Sequence, residues 1–422
     1  MYKKEHYLVA ALSFLFVLVF YVLTMAPSVT FWDAGEFIAA SYCLGVPHPP
    51  GTPLFVLIGR VLAVLPVHGE IAARLNLVSV LSGALSGLLI CLIAVKILET
   101  MVDDPEKPGA RLVVSAGAFT CSIIPPFLYT VWSNSTEFEV YSVATTTIFF
   151  CGWLMIYMGS LKESKRIKNI LLLVVYIVSL SIANHLIVLL VAPAVIAYTL
   201  LHDRRNWKYW CSVLGSFLGF YLMVMKGLDL SAVAERLSIR DFSEAGLFVA
   251  GYRVTAALLD IVFGINQYVA SSSSFFFGLL IAAGSVYWAY QRKALGFFGA
   301  ALGLFLLGFS VHLYLLIRSG LNPPINEGQP ETLKAFWAVI GREQYGSAYG
   351  ILPRQVWQMI TQKANIASLS DLAANIKVYL QYNIPFYTGY FGWQYGNPGW
   401  TLVFTALGIY GAVEHARHEK KS

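Results

Sequence analysis

The chain has 422 residues, 57% of them hydrophobic and only 12% charged, against roughly 25% charged in an average soluble domain. A soluble fold of this length cannot cover itself with so little polar surface, so the composition excludes a water-surrounded globule and makes lipid the solvent. The formal charge of +6 does not point to nucleic acid, because the basic residues gather in clusters that alternate with outward loops, as the positive-inside rule requires.

Those clusters are Lys3 and Lys4; Lys96, Lys107 and Arg111; Lys162, Lys165, Arg166 and Lys168; Arg204, Arg205 and Lys208; Arg292 and Lys293; and Arg417, Lys420 and Lys421. With a cytoplasmic N-terminus, apolar runs predict spans near 7–26, 76–97, 112–131, 140–159, 169–183, 186–202, 209–226, 275–291, 295–317 and 399–413. The fold class read from this pattern is all-α, a polytopic transmembrane helical bundle of roughly ten spans forming one domain over 1–422. The first span follows a basic start like a signal peptide, but its apolar region is too long and no small-residue cleavage site precedes Thr30, so it reads as a retained helix. The pair 169–183 and 186–202 meets at Asn184-His185, a weakly punctuated turn. Fusing the two would put three basic clusters outside, which argues for separate helices.

Three outward loops are long, 27–75, 227–274 and 318–398, and long loops are where membrane enzymes hold chemistry. The first contains TFWDAGEFIAASYCLGVPHPPGTPL at 30–54. Asp33 and Glu36 stand three apart, so a helix over 33–43 puts both carboxylates on one face while Phe37, Ile38 and Tyr42 enter the membrane interface. The His48-Pro49-Pro50-Gly51-Thr52-Pro53 stretch forbids regular helix, and the run Leu54 to Leu65 is too short to span. Two short helices hinged at a proline turn follow. Asp33 and Glu36 read equally as a general base with its partner or as a helix cap completed by a capping box. Two carboxylates this close to apolar surface resist desolvation, and at least one proton affinity is expected to rise.

Further along, Glu137 and Glu139 in NSTEFEVYS read either as a solvated loop pair or as facing the same cavity as Asp33. Arg318, in LIRSG, fits a donor phosphate as a planar fork and is preferred over Arg342, in GREQYG; both read alternatively as snorkelling residues. His48 reads as a phosphate donor or as a plain turn histidine. Asn322, Asn326 and Glu327, with Pro323 and Pro324, make a polar turn of the kind that lines a site. The five cysteines, Cys43, Cys91, Cys121, Cys151 and Cys211, show no disulfide or metal spacing. No HExxH, Walker loop or nucleotide-binding glycine pattern stands in a supporting context, so no cofactor is expected, although Asp33 and Glu36 leave room for a divalent metal.

The stretch FWDAGEFIAASYCLGVPHPPGTPLFVLIGRV resembles the signature of the DUF2723 proteins, glycosyltransferase family 117, and IRSGLNPPINEGQPETLKAFWAVIGREQYG is similar to that family's loop after a late helix. Weaker echoes are Glu139-Val140-Tyr141 and Asn184-His185-Leu186. The resemblance implies a GT-C bundle, a lipid-linked sugar donor carried on polyprenyl or dolichyl phosphate, a protein Ser or Thr acceptor, and mannose as the sugar. It also implies a substrate-binding role for Glu139, Asn184 and His185, beside membrane lipids and without nucleic acid. The implied place is a bacterial inner membrane with the site facing the periplasm, or the reticulum lumen in a eukaryote. Many relatives carry a soluble C-terminal region, whereas the sequence here runs only to the basic stretch HARHEKKS. The alternative is a transporter or flippase of lipid-linked or small polar solutes, disfavoured because Asp33, Glu36, Arg318 and Glu327 map to the outer edge rather than the midplane.

The topology is open to a direct check. In a cysteine-free background, an impermeant thiol reagent added outside is expected to label a cysteine placed at Ser272 and not one placed at Arg166. Labelling of both, or of position 166 alone, overturns the arrangement.

Overall fold

The computed structural model describes residues 2–66, 69–161, 164–203, 206–222, 272–345, 381, 389, 393–394 and 398–419. Every regular element among the described residues is helical. In chain order these are α1 (Lys4–Thr24), α2 (Asp33–Cys43), α3 (Pro53–Val64), α4 (Ile71–Met101), α5 (Pro108–Ile123), α6 (Tyr129–Thr136), α7 (Val140–Gly159), α8 (Ser164–Ile182), α9 (Val191–His202), α10 (Trp207–Tyr221), α11 (Ser272–Gln291), α12 (Leu295–Phe309), α13 (Leu313–Ser319), α14 (Leu333–Ile340) and α15 (Pro398–Glu419). Most of the expected 227–274 loop, and the 318–398 loop from 346 on apart from 381, 389, 393–394 and 398, lie outside the described residues.

Five helices among the described residues are long and apolar enough to cross a membrane: Lys4–Thr24, Ile71–Met101, Pro108–Phe127, Val140–Gly159 and Leu295–Ser319. They coincide with five of the ten expected spans. The spans expected at 186–202 and 275–291 fall on shorter apolar helices, Leu186–His202 and Phe275–Gln291. The one expected at 169–183 lies in α8, whose first turns carry Lys165, Arg166 and Lys168. That near 209–226 starts in α10 and runs out of the described residues, and that at 399–413 lies in α15. The break at Asn184-His185 is real: α8 stops at Ile182, and a 3-10 turn, Leu186–Leu190, intervenes before α9.

The chain divides into two compact units, 25–82 with 137–344, and 2–24 with 83–136 and 345–422. In the second unit, α1 is apolar all round, yet it buries a single stripe, His6, Ala10, Ser13, Val17 and Tyr21, at the three- and four-residue spacing of one helix face. Between helices already in lipid, apolar area gives no drive to associate, so small side chains and hydrogen bonds decide the contact. Ser122 Oγ donates to Ser13 Oγ at 2.7 Å, and Tyr21 Oη donates to the Pro126 carbonyl at 2.6 Å. Polar charge collects at the basic N-terminal end, where Glu106 takes both Lys3 at 2.6 Å and Arg111 at 2.7 Å.

The first unit contains the two short helices expected in the first loop. Phe37 and Ile38 of α2, Phe55 and Ala63 of α3, Ala72, Leu75 and Val78 of α4, and Phe138 and Val140 form one buried cluster. Phe55 stacks on Phe138 with centroids 4.0 Å apart, and Phe37 meets Phe55 edge-on at 5.6 Å. Phe37 and Ile38 are therefore core, not the interfacial side chains the sequence suggested; Tyr42 alone of the three is exposed. The reason is Gly59, where a side chain would collide with Ser41 and Phe138, so its absence lets α3 close onto that face of α2.

Candidate functional site

The amino end of α2 carries the acidic pair. Asp33 is its first helical residue, and Trp32 before it has φ 66 and ψ −146, a backbone region that costs a non-glycine residue on the order of 1–3 kcal/mol. No side chain caps this helix end, so the capping-box reading of Asp33 and Glu36 does not hold. Glu36 turns instead to the proline loop. One of its oxygens accepts from the His48 backbone N–H at 2.6 Å, and the other meets His48 Nδ1 at 2.7 Å. With Nδ1 so engaged, His48 presents Nε2 toward Asp33, 4.0 Å from Oδ2.

The loop that carries His48 is clamped by residues far away in sequence. Val46 N–H donates to the Ile325 carbonyl at 2.8 Å and Glu327 N–H to the Val46 carbonyl at 2.9 Å, an isolated parallel bridge centred on Val46 and Asn326. Tyr314 Oη donates to the Gly45 carbonyl at 2.9 Å. Gly51, at φ +80, lies against Leu315 where a Cβ would have no room. Arg318 donates from Nε to the Leu44 carbonyl at 2.8 Å and from a terminal nitrogen to the Cys43 carbonyl at 3.3 Å. It thus satisfies the carboxyl end of α2, away from Asp33, and its fork is engaged there rather than open to a phosphate. Asn326 donates to the Ser319 carbonyl at 3.4 Å, and Asn322, at φ 48, gives its N–H to the same carbonyl at 2.9 Å. The Arg318 and Asn326 side chains and the Asn322 backbone N–H are thus parts of the clamp. Glu327 is exposed, and its charge acts on His48.

On another side stands Glu139, the residue before α7. Its N–H and its carbonyl both bond Ser79 Oγ of α4, at 3.0 and 3.2 Å, and it is only 5% exposed. The solvated-loop reading of Glu139 is therefore wrong: packing of neighbouring Phe138 into the core draws the segment inward. Asn184, fully buried, donates to the Val140 carbonyl at 3.0 Å and ties the end of α8 to the start of α7. His185 accepts at Nδ1 from the Ile187 N–H at 3.1 Å, which assigns its proton to Nε2, and its ring lies 4.9 Å from that of Tyr141. Arg342, half-buried after α14, acts electrostatically on both Tyr141 and His185. Sequence reasoning missed Ser79 as the anchor of Glu139 and Tyr314 and Leu315 as clamps of the loop, because nothing in spacing links positions so far apart.

The environment separates the titrating groups. Burial would raise Glu36, but the side-chain and backbone hydrogen bonds from His48 outweigh it and hold the carboxyl below its ordinary value. The Glu36 bond, against burial and with help from Glu36, Asp33 and Glu327 charges, raises His48. Glu139 goes the other way, to about 8, through burial and then the Asp33 and Glu137 charges. The expected rise in proton affinity thus falls on Glu139, not Glu36. His185 drops to about 4 through burial, with Arg342 and His48 adding to it, and so is neutral near pH 7. No group of three or more His, Cys, Asp or Glu among the described residues is arranged to hold a metal. A divalent ion between Asp33 and Glu36 would compete with His48 for both Glu36 oxygens.

Residues 33–208 match the family model described as the protein O-mannosyl-transferase TMEM260 N-terminal domain, a match that begins at Asp33 itself. Protein O-mannosyl-transferase TMEM260 of Mus musculus is 32% identical over 149 residues, covering 35% of this chain and 19% of the mouse protein. Protein O-mannosyl-transferase tmem260 of Dictyostelium discoideum is 23% identical over 238 residues, covering 53% of this chain and 27% of the relative. The matched part of the chain thus spans about a quarter or less of the length of these curated relatives. No solved structure matches. The chain is similar to these proteins over the matched segment, which holds Asp33, Glu36, His48, Glu139, Asn184 and His185.

The Glu36 and His48 pair makes a checkable statement. In the folded protein His48 is expected to titrate above the ordinary imidazole value of 6.5, read from the ring-carbon chemical shift of labelled histidine. Glu36→Gln removes the anion and is expected to bring that titration back down. An unchanged His48 titration in a folded Glu36→Gln protein shows that the pair does not set it.

Proposed function

We propose that this relative of the protein O-mannosyl-transferase family is an inverting GT-C glycosyltransferase, which moves mannose from a polyprenyl- or dolichyl-phosphate donor to a protein Ser or Thr hydroxyl on the extracytoplasmic face. The observation that carries the reading is the Asp33, Glu36 and His48 constellation, placed in the loop after the first apolar helix and opening the segment that matches the family. Five membrane-length helices support a multi-pass protein whose donor can stay in the bilayer.

The reaction needs a base for the acceptor proton and a cation for the leaving phosphate. In this reading the acceptor hydroxyl oxygen attacks the anomeric carbon, its proton passes to Asp33, and the carbon–oxygen bond to phosphate breaks with its electrons on the departing phosphate. Asp33 is the exposed carboxylate of the constellation and so the one an acceptor can reach. Glu36 holds His48, and His48 fixes the charge beside Asp33. Arg342, whose charge acts on Tyr141 and His185, takes the phosphate, while Arg318 binds the α2 carbonyls. Neutral His185, with its proton on Nε2, adds a second donor.

Two outcomes test this. Asp33→Asn nearly preserves size and removes the proton acceptor, so transfer to a Ser/Thr peptide is expected to fall ~10²- to 10⁴-fold, while a folded variant still binds donor. Wild-type turnover by that variant overturns the base assignment. Arg342→Lys keeps the charge and loses the fork, and is expected to raise the donor KM with little change in acceptor KM. If Arg318→Lys does this and Arg342→Lys does not, the phosphate lies at Arg318.

A further inference from the structure

Glu139 is a buried ionisable side chain that has no use in the mechanism above. Glu139 is anchored through its backbone on both sides by Ser79 Oγ, so the segment cannot swing the side chain out to solvent without breaking two bonds. The residue stands at the amino end of α7, where a side chain ordinarily folds back to bond a free N–H, and it makes no such bond. Its Oε2 is buried and has no hydrogen-bond partner among the described residues. The groups that act on its carboxyl are Asp33 from α2, Glu137 beside it, the backbone N–H of Val140 at the start of α7 and His48 from the proline loop, and the carboxyl in turn acts on Tyr141 of α7. A buried polar atom is costly to leave without a partner, so an orphan within electrostatic reach of Asp33 and His48 asks for a ligand atom.

We propose that Glu139 is a donor-sugar-binding residue of this site, a neutral carboxylic acid whose Oε2–H is given to an oxygen of the bound sugar phosphate. The proposal deepens the reading of the site as a glycosyl-phosphate enzyme and rests on it. A carboxylate at this position would add a third negative charge to Asp33 and Glu137 and repel an incoming phosphate, whereas the acid donates to it. Burial first, and then the two acidic neighbours, hold Glu139 protonated up to about 8, so the acid is the form present near neutral pH. Donor affinity is consequently full below that value and falls as pH rises through it. Tyr141, His185 and Arg342 lie next along this side of the site; His185 titrates near 4 and contributes no change in the same range.

The test uses the full chain in nanodiscs and polyprenyl-phosphate mannose as the probe, with the dissociation constant measured from neutral to alkaline pH. Wild type is expected to weaken through about 8. Glu139→Gln, whose amide donates but cannot ionise, is expected to lose that dependence, and Glu139→Ala to bind roughly two- to tenfold more weakly at neutral pH. A folded Glu139→Gln protein that keeps the wild-type pH dependence overturns the proposal. Infrared spectroscopy of the wild type without ligand gives a second arm. The carbonyl stretch of a buried carboxylic acid is expected at neutral pH, disappearing on alkaline titration and missing from Glu139→Gln. Should the probe bind no form of the protein, the donor assignment above fails and the proposal falls with it; absence of the infrared band overturns Glu139 while leaving the donor assignment standing.

Discussion

The bond between Glu36 and His48 is the constraint on which the geometry of the site depends. It joins a helix to a loop that, from its prolines, has few ways of its own to hold a shape. One carboxylate takes both the backbone N–H and the ring nitrogen of the same residue, at 2.6 and 2.7 Å. A charge-assisted pair of this kind is roughly twice as strong as a neutral one, and a two-point contact fixes orientation as well as distance. Because Nδ1 is taken, the other ring nitrogen faces Asp33. The clamp from 314 to 328 then holds the loop at the opposite side, through Tyr314, Arg318 and the Val46 bridge. Remove the pair and the loop keeps its clamp but loses its register with α2.

Three carboxyl groups at one site have three environments, and the environments separate what otherwise would be equivalent acids. Asp33 is exposed, Glu36 is paired, and Glu139 is buried behind Phe138. Pairing favours the charged form and burial the neutral one, so Glu36 moves down while Glu139 moves up. Two histidines divide in the same manner. His48 is raised by its carboxylate partner, and His185 is lowered by burial beside Arg342. A site can thus hold cationic and neutral imidazoles, and charged and neutral carboxyls, at one pH. The strained backbone of Trp32, one residue before Asp33, is of a piece with this, since such conformations persist where the surroundings over-determine them.

Much of this protein was legible in its sequence. Low charge and long apolar runs placed it in lipid, because no arrangement of 12% charged residues covers a soluble surface of this size. The prolines at 47, 49, 50 and 53 dictated a loop between two short helices, because ring geometry forbids anything else. The helix over 33–43 and the break at Asn184-His185 followed from local pattern and charge in the same way. What could not be read is which partner each polar side chain takes. Glu36 spaced three from Asp33 has the form of a capping box, yet its partner is His48, twelve residues on across the proline turn. Arg318 looked like a phosphate fork and is a latch on α2; Glu139 looked solvated and is buried on Ser79, sixty residues earlier. Local sequence sets backbone conformation through sterics that act within a few residues. Hydrogen-bond partners and proton affinities depend on distance and burial, and those exist only once segments far apart in the chain have packed together.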